Sequence, residues 1–238
     1  MSDTVRALRT PRAAGAVGIA FAILLGAAIV LVRVGIPEGQ HYAAGGGPLD
    51  GTSRRTVRTA LALIPFAGIF FLWFIGAVRA HVGDAEDRFL ATVFQGSGLI
   101  FVATLFGAAA CAGSLLATAD AGTMGGPRQP QLWYFGGHFT YSLLTTFAMR
   151  MAAVFVLSAS TVALRLGTFP RWLALLGYLV GLTLLFVVPS VAWAELIFPI
   201  WAFVVSLHIL VAGFRREARA RLDGQGERDG RDDITTAR

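Results

Sequence analysis

Six stretches of the chain are apolar over a membrane-crossing length: Ala13–Val34, Thr59–Val78, Phe89–Ala117, Phe139–Leu164, Trp172–Val188 and Leu196–Phe214. A helix needs about 20 such residues to cross a hydrocarbon core roughly 30 Å thick. Backbone amides in lipid must pair within the segment or around a closed barrel. Barrel strands alternate apolar and polar positions over about ten residues. Ala20–Val32 and Leu173–Val188 show no such alternation, so the pattern predicts helices. The third and fourth stretches exceed a perpendicular crossing, which predicts tilt or extra turns outside the core. Pro65 lies inside the second and predicts a kink there.

The polar intervals complete the outline. Residues 35–56 carry Gly45, Gly46, Gly47, Pro48 and Gly51, and residues 118–138 carry Gly122, Gly125, Gly126, Pro127 and Pro130, the composition of loops. Residues 79–88 are a charged link, and 165–171 a tight turn around Gly167 and Pro170. Only Pro189–Glu195 separates the last two stretches, which must therefore be antiparallel neighbours. Residues 223–238 are polar and nearly free of apolar side chains, and read as a disordered tail. The expected fold is all-α, with residues 1–222 forming a membrane bundle of six transmembrane helices.

Composition agrees with this outline. Hydrophobic residues are 55% of the 238 and charged residues 14%, where soluble domains carry about 25% charge. So few charges cannot clothe a soluble surface. A single cysteine, Cys111, excludes a disulfide scaffold.

Charge also gives a direction. All 20 basic residues are arginine. In a six-crossing outline, 14 of them fall on the side of the termini, 5 on the other, and Arg150 within a span. The positive-inside bias then places both termini in the cytoplasm of a cell-membrane protein, although Arg54, Arg55 and Arg58 run against it. The first stretch has a basic leader, but its apolar core is longer than the 7–15 residues of a signal peptide, so a retained anchor is expected.

Arg150 is the most informative side chain for chemistry. A cation deep in a span costs roughly 2.5–3.5 kcal/mol on insertion scales and should face the bundle or a wet cavity. Ser142, Thr146 and Ser158 fall at multiples of four from it, and Gln95 on the third stretch is the nearest partner by depth. The set Arg150, Gln95, Ser142 and Thr146 is thus a candidate intramembrane polar site, for an anion or proton if functional. The alternative is a buried arginine satisfied by hydroxyls and carbonyls. His41, His81, His138 and His208 form no paired arrangement for haem, no zinc spacing occurs, and no cofactor is expected. Asp84, Glu86 and Asp87 suit capping of the third helix better than a metal site. No carboxylate pair or activated nucleophile lies in the spans, so no enzyme is expected.

Two features concern partners. Gly177 and Gly181 form a Gly-x-x-x-Gly pair that would serve the internal bundle or a homo-oligomer equally. Arg215, Arg216, Arg219 and Arg221 follow the last stretch and should attract anionic headgroups by about 1 kcal/mol each. This juxtamembrane placement also argues against nucleic acid as the partner of so basic a chain.

The segments Gly83–Phe89, Ala91–Gly98, Met149–Phe155 and Pro170–Tyr178 resemble a family of uncharacterised multi-pass membrane proteins from high-GC actinobacteria. The resemblance covers the second to sixth helices and implies a plasma-membrane bundle, without an activity or a site residue to carry over. Two roles remain open on the residues: a structural or accessory membrane component with a dry interior, or a small transporter or channel with a polar path at Arg150.

Overall fold

The computed structural model describes residues 11–35, 51–82, 88–120, 129–167, 170–187, 191 and 193–215. Helix α1 covers Pro11–Gly35, α2 Gly51–Val82 and α3 Arg88–Asp120. Helix α4 (Gln129–Tyr141) runs through a π-helical segment, Ser142–Ala148, into α5 (Met149–Leu166). Helix α6 is Arg171–Phe186, and a 3-10 turn, Ala194–Leu196, opens α7 at residues 197–215. No strand occurs among the described residues. Five helical spans are long and apolar enough to cross a membrane: Ala13–Val34, Gly51–Arg79, Phe89–Thr118, Tyr134–Leu166 and Ala194–Arg215. The apolar helix Arg171–Phe186 is shorter. This apolar helical bundle points to integration in a membrane.

Element ends differ from the sequence outline where proline and glycine lie within the first turns of helices. Helix α2 begins at Gly51, eight residues before Thr59, and α4 begins at Gln129, ten before Phe139. Pro130 sits in the first turn of α4 and Pro11 opens α1. Proline is tolerated there because the first-turn amides have no intrahelical acceptor. Helix α2 runs on through Pro65. The turn at Gly167 and Pro170 is as expected: Gly167, at φ 63°, ends α5 in the left-handed region, and Pro170 starts α6 in extended conformation. The expected loops within 36–50, 83–87 and 121–128 and the expected tail at 223–238 lie outside the described residues.

Neighbouring helices alternate in direction, as paired positions show. A Cβ on Gly68 would meet Phe106, one on Gly98 would meet Ile75, and one on Gly113 would meet Leu61, which makes α2 and α3 antiparallel. Gly15 against Leu210, Gly18 against Ser206 and Gly26 against Pro199 do the same for α1 and α7. Small residues at these crossings let backbones approach closely, as membrane bundles require where lipid supplies no hydrophobic drive between helices.

The centre of the bundle is aromatic. Phe71 of α2 lies 4.6 Å from Phe21 of α1, 5.2 Å from Phe101 of α3, 4.9 Å from Phe155 of α5 and 6.0 Å from Phe198 of α7. Tilted and edge-on rings at these spacings place positive edges on negative faces. Leu173, Val180 and Leu184 of α6 join the same core. Five rods thus meet at one ring, with the sixth packed beside them.

Candidate functional site

Most hydroxyls in the bundle are satisfied by their own helix. Ser97, Thr104, Ser114, Thr118, Thr145, Ser158, Ser160 and Thr183 each donate to a carbonyl three or four residues back. Such bonds neutralise a polar group in an apolar interior without a partner helix. Thr161 does the same and also meets Tyr178 Oη of α6 at 2.8 Å.

Arg150 follows the π-helical segment directly. Its Nη1 donates to the Thr146 carbonyl at 3.0 Å, on its own rod. The side chain is half-buried, whereas Met149, Ala152, Ala153, Phe155 and Val156 beside it are buried. The arginine thus leans off the core-facing side and points back along the rod. Ser142 is exposed and Thr146 half-buried near it, but Ser158 is buried and bonded to Val154. Gln95 lies elsewhere: its Oε1 accepts from Arg79 Nη1, tying α3 to α2. The structure therefore brings Arg150 and Thr146 together and leaves Gln95 with another arginine.

A second charged feature was not anticipated as a pair. Arg33, near the end of α1, donates from Nη2 to Glu195 Oε1 at 2.7 Å, with side chains only 11% and 2% exposed. Glu195 Oε2 is buried without a partner. The chain arrives here through Trp193, whose φ of 69° is the one non-glycine left-handed residue among those described. That conformation starts the 3-10 turn, with Leu196 N–H donating to the Trp193 carbonyl at 3.0 Å, and swings Glu195 inward. The pair is electrically neutral as a unit and clasps the end of α1 to the start of α7. The available signal was two opposite charges flanking the first and last apolar stretches at one end of the bundle.

Gly177 and Gly181 are buried against α5: a Cβ on the first would collide with Ser160, and on the second with Leu157 and the Ala153 carbonyl. They serve the α5–α6 contact. Arg215 is exposed at the last described turn of α7, while Arg216, Arg219 and Arg221 lie outside the described residues. Among the described residues no group of three or more His, Cys, Asp or Glu side chains could hold a metal ion.

These features define an apolar helical bundle with a buried Arg33–Glu195 ion pair and a half-buried Arg150 within a span. Set against known proteins, the chain matches no family model, no curated protein and no solved structure.

Proposed function

We propose that the chain is a six-crossing protein of the cell membrane, both termini cytoplasmic, working as a structural or accessory component of that membrane. The observation that carries this reading is the closed aromatic centre: Phe21, Phe71, Phe101, Phe155 and Phe198 touch across five rods. A transport path would need polar groups facing one another through that layer, and the Ser158 and Ser160 hydroxyls of α5 are tied to their own backbone. The arginine bias supports the orientation, and the resemblance to an actinobacterial membrane family belongs to the same proposal. In this orientation Arg215, Arg216, Arg219 and Arg221 meet the anionic inner leaflet.

A transporter centred on Arg150 is the second reading. It is favoured by the guanidinium making a single bond to its own rod, next to a π-helical segment of the kind often found at functional sites. Reconstitution separates the two. Sealed vesicles containing the protein should release trapped chloride, phosphate or protons no faster than empty vesicles. A flux present in the wild type, and abolished in a normally inserted Arg150→Ala, overturns the accessory reading.

A further inference from the structure

We infer that Arg150 holds the phosphate of a phospholipid headgroup, beside the last turn of α6. The register of α5 and α6 places it there. Gly177 packs on Ser160, Tyr178 bonds Thr161, and Gly181 packs on Leu157 and Ala153. Continued antiparallel past Gly181, this pairing brings Arg150 level with the last turn of α6, which ends at Phe186. Arg150 prolongs the stripe Ala153–Leu157–Thr161 that α6 covers, one turn past the last of these contacts, because positions three, four and seven apart share a helix face.

Depth follows from length. The 16 residues of α6 rise about 24 Å, less than a hydrocarbon core of about 30 Å. The rod that carries Arg150 is longer, spanning Tyr134–Leu166. A bilayer matched to α6 thins, or its headgroups dip, at the end of that helix. Trp193, 45% exposed just after α6, is the kind of amphipathic aromatic that sits at headgroup level. The Arg150 side chain bends toward that same end to reach the Thr146 carbonyl.

Chemistry selects the occupant. One bond to Thr146 leaves guanidinium donors of a half-buried side chain for an acceptor, with the exposed Ser142 and half-buried Thr146 beside them. Arginine offers a planar fork that matches two oxygens of a phosphate, and snorkels readily to reach one. The buried carboxylate at this end of the bundle, Glu195, is already engaged by Arg33. A lipid phosphodiester supplies such an acceptor at this depth. The inference rests on the bundle lying in a membrane but not on an accessory role, so lipid retention and the vesicle flux can fail separately.

The test is native mass spectrometry of the full-length protein released from nanodiscs of phosphatidylglycerol mixed with a phosphate-free diacylglycerol glycolipid. Wild type and Arg150→Lys should retain phosphatidylglycerol over the glycolipid. Arg150→Leu and Arg150→Gln should hold it about tenfold more weakly, the loss of one charge-assisted contact. Circular dichroism checks that each variant folds, and the glutamine variant reads the effect if the leucine variant does not. Equal retention by all variants overturns the inference. So does competition by millimolar inorganic phosphate, which marks a free-anion site. Displacement of the lipid by a leucine-rich transmembrane peptide with a central glutamate, but not by its glutamine version, overturns it as well, by pointing to a carboxylate-bearing partner helix.

Discussion

Breaking the Arg33–Glu195 pair from one side should cost more than removing both charges. With side chains 11% and 2% exposed, removing either residue strips a largely buried charge of its counter-ion. Arg33→Leu or Glu195→Leu is each expected to destabilise the bundle by about 3–5 kcal/mol, and the double variant by far less. Unfolding of the four proteins in mixed micelles gives the cycle, and additive losses would show that the pair does not act as a unit. This pair was only half legible in the sequence. Opposite charges at the ends of the first and last stretches were visible, but the left-handed turn at Trp193 that aims Glu195 inward was not. Gln95 shows the converse. Its depth suggested Arg150, yet the antiparallel packing of α2 on α3 presents Arg79 to it first.

Helix contacts are set by backbone approach at particular glycines. At Gly15 an added Cβ would stand 2.8 Å from Leu210 Cβ and 2.9 Å from the Ser206 carbonyl oxygen. Backbone cannot rotate away, so Gly15→Ala must part α1 from α7 and should cost about 1–3 kcal/mol. Gly76, equally helical, meets nothing within 4 Å. Gly76→Ala should be neutral or stabilise by up to ~1 kcal/mol through helix propensity. Thermal denaturation in one detergent compares the two, and equal effects would refute the packing argument. At this scale the helical character of the apolar stretches was legible, and five of the helices are long and apolar enough to cross a membrane. The starts of α2 and α4 were not, because loop-type composition cannot tell a first helical turn from a loop: Pro130 suits either. The small-residue spacing of Gly177 and Gly181 was likewise visible without its partner, which the α5 register supplies.

For the whole molecule, the all-helical apolar bundle followed from patterning because hydrocarbon leaves the backbone few alternatives. The interlocked phenylalanines did not follow. Eighteen phenylalanines are spread along the chain, and which of them converge depends on helix rotation that periodicity in a wholly apolar span does not encode. The candidate site shows the same limit: Arg150 stood out at once, but its position beside the end of α6 depends on the pairing of two helices.

The count and direction of the crossings turn on α6, the shortest rod. Compartment reporters inserted after Gly167 and after Val191, in otherwise full-length protein, ask whether those 16 residues traverse the bilayer. The account predicts a cytoplasmic signal at the first site and an external one at the second, with a tag at the chain's end cytoplasmic. Signals from a single compartment on both sides of α6 would contradict it.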